Sequence, residues 1–182
     1  MDPAAADQAL FADTLYNDLV LPLRLDTQPP ALSSGSEMRL RAIALVEDSR
    51  NEDSEERGEH AAALQRMEAK LDLVLALCAG VLAQQRSPLL ALPVRWSARG
   101  LRVDWPASAG PLPAVCGITL QAADWLPDPI QLPVQVLATE ASADGSRVWL
   151  VFTPMSDALQ AALERHVFRL HRRQIASNRR QR

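Results

Sequence analysis

Arginine carries nearly all the positive charge of this chain, since Lys70 is its only lysine. Two arginines meet a serine and a glycine at Arg95-Trp96-Ser97-Ala98-Arg99-Gly100-Leu101, with a third, Arg102, next in line. A guanidinium fork makes paired, charge-assisted hydrogen bonds to phosphate or carboxylate, so Arg95, Arg99 and Arg102 could form a small anion-binding face. The plainer reading is a hairpin. A locally bonding serine and a glycine suit a tight turn, and arginines alternating along a strand edge are usually solvated. A second cluster, Arg165, Arg169, Arg172, Arg173, Arg179, Arg180 and Arg182, could contact nucleic-acid phosphates or an acidic protein surface. Its plainer reading is cations complementing a helix C-terminal dipole ahead of a frayed end.

Catalytic chemistry finds no comparable foothold. The three histidines are His60, His166 and His171, and the last two stand five residues apart on an expected helix, on different faces. Cys78 and Cys116 sit in apolar runs rather than at metal-ligand spacing, which is cytosolic usage. No Gly-rich phosphate loop or nucleophile-elbow serine occurs. The expectation is a protein that is not an enzyme, with no catalytic residue, no metal ligand and no cofactor. A formal charge of −3 also speaks against a nucleic-acid binder held by net electrostatics.

The elements that must position these residues fall into three segments. Residues 1–35 open with a short amphipathic helix over Ala4–Tyr16. They continue into an extended run, Leu19–Leu25, whose Pro22 suggests an edge strand or a strand start. Residues 36–86 hold no proline between Glu37 and Gln85 and only two glycines, Gly58 and Gly80. They read as one long helix with Ser36 as its cap, or as two helices broken near Gly58. Residues 87–182 change period: Leu90–Trp96, Leu101–Trp105, Val115–Gln121, Ile130–Thr139 and Arg147–Phe152 are short strands. An Asp144-Gly145 type I′ turn is expected between the last two, and a closing helix carries Leu159, Leu163, Val167 and Leu170 on one face. Short, evenly spaced strands indicate a small antiparallel barrel or sandwich.

The long helical segment has its own pattern. Leu64, Leu71 and Cys78 share one heptad position and Met67, Val74 and Val81 the other; the same frame, stepped back through charged residues, meets Val46 and Ile43. Leucine combined with β-branched residues in this order leans towards trimers or tetramers. Self-association through Ile43, Val46, Leu64, Met67, Leu71, Val74, Cys78 and Val81 is therefore expected, as a tetramer first and a dimer second. The alternative is a helix buried on its own domain. Between the two apolar ends, Glu47–Glu59 holds seven acidic residues against two arginines, which as a block reads as a solvated face.

With its serine-to-glycine turn, the strands around it, the Asp-Gly hairpin, the Val151-Phe152 strand end and the closing helix Ala158–Gln174, the stretch from Pro88 to about Gln174 resembles a PilZ domain, with Leu19–Leu25 as first strand. The resemblance implies an α+β fold: a six-stranded antiparallel β-barrel with a C-terminal helix and, here, an inserted coiled-coil helix. It also implies a receptor lineage for cyclic di-GMP, with links to motility, surface attachment and virulence. The family's ligand motifs are an Arg-x-x-x-Arg pair before the barrel and an Asp or Asn, x, Ser, x, x, Gly turn. This sequence keeps Ser97 and Gly100 but has Arg95 at the acidic or amide position, and Arg24 stands without an arginine four positions away. Arg95 offers only donors where an acceptor for guanine N–H groups belongs. The expectation is thus a cytoplasmic adaptor in cyclic di-GMP-linked signalling that assembles with itself, contacts unidentified signalling proteins and does not bind the nucleotide. A divergent receptor with a rebuilt site, and a nucleic-acid binder using the Arg-rich tail, are the alternatives. No signal peptide or membrane span is read from the sequence.

Overall fold

A computed structural model describes residues 1–28, 30, 33–52, 67, 70, 71, 74, 88–126 and 128–180. Its elements are α1 (Pro3–Phe11), β1 (Tyr16–Asp26), α2 (Ser33–Glu52), β2 (Leu90–Ser97), β3 (Gly100–Pro106), a 3₁₀ turn (Ala107–Ala109), β4 (Gly117–Leu120), β5 (Ile130–Ser142), β6 (Gly145–Phe152) and α3 (Asp157–Arg180). The six strands close into an antiparallel barrel in the order β1-β2-β3-β6-β5-β4. Period-two burial explains the closure: Leu92, Val94 and Trp96 on β2, and Leu101, Val103 and Trp105 on β3, all point inward. On α3, Leu159, Leu163 and Val167 recur at helical spacing and are buried in the same core.

The helix α2 leaves the chain between the first and second strands. It buries Leu40 and Ile43 in the barrel's core cluster. Ser36 is not the cap: the helix begins at Ser33, and the buried Ser36 hydroxyl donates to the Gln131 carbonyl at 2.8 Å and accepts from the Gln131 N–H at 2.9 Å. The first turn of α2 is thereby pinned to β5, and an Arg39–Asp128 ion pair adds to the attachment.

Two expected turn and strand features are corrected. Pro22 lies in the interior of β1, which pairs with β2 through Tyr16–Leu23 and with β4 only through Leu23–Asp26. Its carbonyl takes the Gln121 N–H at 2.9 Å, so its missing N–H falls on the β4 side, just past the last β1–β4 pair. The β5–β6 connection turns on Ala143 and Asp144, neither at positive φ, with Ser142 opposite Gly145. It is therefore not a type I′ turn on Asp-Gly. Gly145 has φ 154°, and a Cβ there would lie 2.1 Å from the Trp105 carbonyl oxygen, so only glycine fits.

α1 ends at Phe11, earlier than the sequence pattern suggests, because Tyr16 is already strand. It packs outside the barrel, where Ala6, Leu10 and Phe11 join Ala138 and Trp149 in a second, smaller apolar cluster.

Candidate functional site

The candidate anion face lies around the β2–β3 hairpin. Ser97 is fully buried and works as a local fastener. Its hydroxyl donates to the Leu10 carbonyl at 2.8 Å, and its oxygen lies within reach of the Arg99 and Gly100 amides at 3.1 and 3.3 Å. Gly100 is required for room rather than for handedness: a Cβ would stand 2.1 Å from the Leu150 carbonyl oxygen and 2.9 Å from a Leu10 methyl. The turn thus does two things, closing the hairpin and seating α1 against it.

The structure brings Arg95, Arg99 and Arg102 to one region, and each is engaged by the chain's own first residues. Arg95 makes a two-point pair with Asp18, Nε to Oδ1 at 2.8 Å and Nη2 to Oδ2 at 3.0 Å. Its guanidinium also lies 4.5 Å from the Tyr16 ring centre and 5.8 Å from that of Phe11. The Asp18 hydrogen bond, outweighing burial, raises its pKa further. Arg99 Nη1 donates to the carbonyls of Ala9 and Ala12 at 3.2 and 3.1 Å, covering the C-terminal end of α1. Arg102 Nη1 donates to Asp7 Oδ1 at 2.8 Å, and the same oxygen accepts the Trp149 indole N–H at 3.0 Å. Burial pulls the Asp7 pKa up, but the Trp149 and Arg102 hydrogen bonds and the charges of Arg102 and Arg95 outweigh it, holding the carboxyl below its ordinary 3.8.

Asp7 and Asp18, which engage Arg102 and Arg95, are the partners that sequence reasoning missed. Those arginines lie 95 and 77 residues away in the chain. The only local signal was acidic residues in the N-terminal segment, which does not say where they point.

The atypical PilZ domain family, described as cyclic di-GMP receptors, matches residues 40–180. The chain belongs to this family. A solved structure from Xanthomonas campestris, described as a pathogenic protein with a new tetrameric PilZ domain self-assembled via an unusual helical bundle, is 44% identical. It aligns over 96% of this chain and 97% of its own with a TM-score of 0.77. YcgR of Escherichia coli, solved with cyclic di-GMP, aligns over 53% of this chain and 42% of its own, at 16% identity and a TM-score of 0.41. No curated protein matches. PilZ domains are receptor and adaptor domains, not enzymes. Among the described residues no three His, Cys, Asp or Glu side chains converge as a metal site, and no helix is long and apolar enough to cross a membrane.

In this PilZ barrel His166 is structural. It is buried beneath α3, with its ring centre 5.4 Å from that of Trp96. Burial first, then the charges of Arg173 and Arg169, push its pKa down to about 4, with the Ala122 backbone offsetting part of this. Nearby, Asn17 Nδ2 donates to the Val167 carbonyl at 3.0 Å, fastening β1 to α3. Arg24, outside the arginine face, pairs with Asp26 at 2.7 Å.

The residues expected to mediate self-association divide. Ile43 is 0% exposed within its own domain, so it is a core residue and not part of a seam between copies. Its spacing fits either role, and it lies in the core cluster that also holds Leu159, Leu163 and Val167 of α3. Val46 is half-buried. Met67, Leu71 and Val74 are 60%, 59% and 54% exposed. Leu64, Cys78 and Val81, together with His60, Gly58 and Arg182, lie outside the described residues.

Proposed function

We propose that this chain is a non-catalytic PilZ adaptor that assembles with copies of itself through residues 36–86 and does not take cyclic di-GMP on its barrel. The observation that carries the reading is the internal engagement of the arginine face. Asp18 on Arg95, two α1 carbonyls on Arg99 and Asp7 on Arg102 already take guanidinium donors that a ligand's phosphates and guanine edges would need. A nucleotide would have to displace α1 and its apolar cluster, and would meet Arg95 where the family motif has an acceptor. Charge-assisted hydrogen bonds contribute roughly 1.5–3 kcal/mol each, so replacing those already made yields little net gain.

The assembly half of the proposal draws on the exposed, helically spaced Met67, Leu71 and Val74, and on the 44% identical Xanthomonas protein, whose PilZ domain is tetrameric through a helical bundle. A coiled-coil tetramer would remove these side chains from water. The adaptor would then act through protein contacts in cyclic di-GMP-linked signalling, with the barrel as a docking body. Isothermal titration with cyclic di-GMP at low salt, on material whose mass is fixed by light scattering, tests both halves. The expected result is an oligomer with no binding heat at two temperatures. Binding at micromolar or tighter affinity would replace the adaptor with a divergent receptor, and a monomeric mass would remove the assembly.

A further inference from the structure

We infer that the outer face of α3 is a docking surface for the acidic stretch Glu47–Glu59 of a second copy of this chain, an inference that rests on the self-assembly reading above. The buried face of α3 is formed by Leu159, Ala162, Leu163, His166 and Val167. At about 100° per residue, Arg165, Phe168, Arg172, Ile175 and Arg179 fall on the diametrically opposite side. They follow one another at spacings of three and four, and all five are exposed. Phe168 is 49% and Ile175 41% exposed, so the stripe alternates cations with apolar side chains over about 21 Å of helix, at 1.5 Å per residue.

Such a stripe asks for a partner that is acidic and can also cover two apolar side chains. Residues 165–182 contain seven arginines and no acidic residue, whereas residues 47–59 contain seven acidic residues and two arginines. The two segments are the charge extremes of one sequence and complement each other. The chain's own α2 packs against α3, and its buried Leu40 and Ile43 join the buried residues of α3 in the core, on the side away from the stripe. A second copy can reach the stripe directly. Nucleic acid is the weaker fit, because phosphates leave Phe168 and Ile175 uncovered and the whole chain carries −3.

The test exploits the single lysine. Arg172→Lys places an amine in the middle of the stripe, and a carbodiimide joins amines to carboxylates in contact. Full-length Arg172→Lys, co-assembled from ¹⁵N-labelled and unlabelled chains, is cross-linked and digested. The expected product joins position 172 to a carboxylate within 47–59, with labelled and unlabelled halves mixed in statistical proportion. The yield should fall severalfold between low salt and 0.5 M salt, because exposed ion pairs are screened. The surface variant Arg172→Glu should retain the fold by circular dichroism and raise the concentration of half-dissociation about tenfold. Unmixed cross-links would place the contact within one chain and overturn the inference. An oligomer with no cross-link at position 172 would overturn it while leaving self-assembly intact, whereas a monomer would sink both. Retention on DNA or RNA that Arg172→Glu abolishes, without the cross-link, would assign the stripe to nucleic acid instead.

Discussion

If α1 is held on the barrel by Asp7, two substitutions there should separate charge from hydrogen bonding. Asp7 Oδ1 accepts from both Arg102 and Trp149, and Trp149 is otherwise buried. Asp7→Asn keeps an acceptor and removes the charge. Because the Asp7 side chain is 37% exposed, the pair is discounted for solvent, and the loss should be about 0.2–1 kcal/mol. Asp7→Ala also strands the indole N–H, adding about 1–3 kcal/mol. The combined loss of about 2 kcal/mol corresponds to a fall of roughly 4–8 °C in Tm for a chain of this size. The charge-dependent part has a defined pH window. The folded pKa lies below 3.8, so this stability is complete above the unfolded value and is lost as pH falls through the depressed folded value. Thermal melts followed by circular dichroism from pH 7 into acid should show wild type and Asp7→Asn converging. An unchanged Tm for Asp7→Ala at pH 7 would refute the claim that α1 is fastened through this carboxylate, as would an Asp7→Asn gap undiminished in acid.

Other substitutions read the remaining parts of the structure. Ile43→Ala should cost about 2–5 kcal/mol of stability, as large-to-small changes in a packed core do, while light scattering finds the particle mass unchanged. Leu71→Glu should do the reverse, dissociating the assembly with little effect on barrel melting, and an undiminished mass would remove Leu71 from the seam. For His166 the folded pKa of about 4 lies below the ordinary 6.5, so the unfolded chain takes up the proton first. Stability is then full above 6.5 and falls as pH drops towards 4, by up to about 3 kcal/mol. Urea titrations of His166→Gln should lose that slope, and a slope equal to wild type would mean that other groups cause it.

How much was legible in the sequence depended on whether the information was local. The strands announced themselves through period-two apolar alternation, as at Leu92, Val94 and Trp96, and α3 through the 3-4 spacing of Leu159, Leu163 and Val167. The closing helix, the insertion between first and second strands and the membership of the PilZ family followed from element order and a short turn motif. Pro22 was harder, because whether its missing N–H matters depends on where β4 ends. The β5–β6 turn was read from a dipeptide, yet the close approach of Trp105 to Gly145, and not a left-handed turn pair, explains the glycine.

Which segments can be strand or helix, which arginines are available and where charge is concentrated are properties of neighbouring residues and their periods, and are written in the chain. What the arginines bond, and that Ile43 is core, emerge only once the chain is folded. Ser97 meets Leu10 across 87 residues and Arg102 meets Asp7 across 95. Ile43 is claimed by the same chain's core rather than by a partner. Contacts that close loops of this length leave no local imprint in the chain, because either partner would be equally acceptable, residue by residue, facing water.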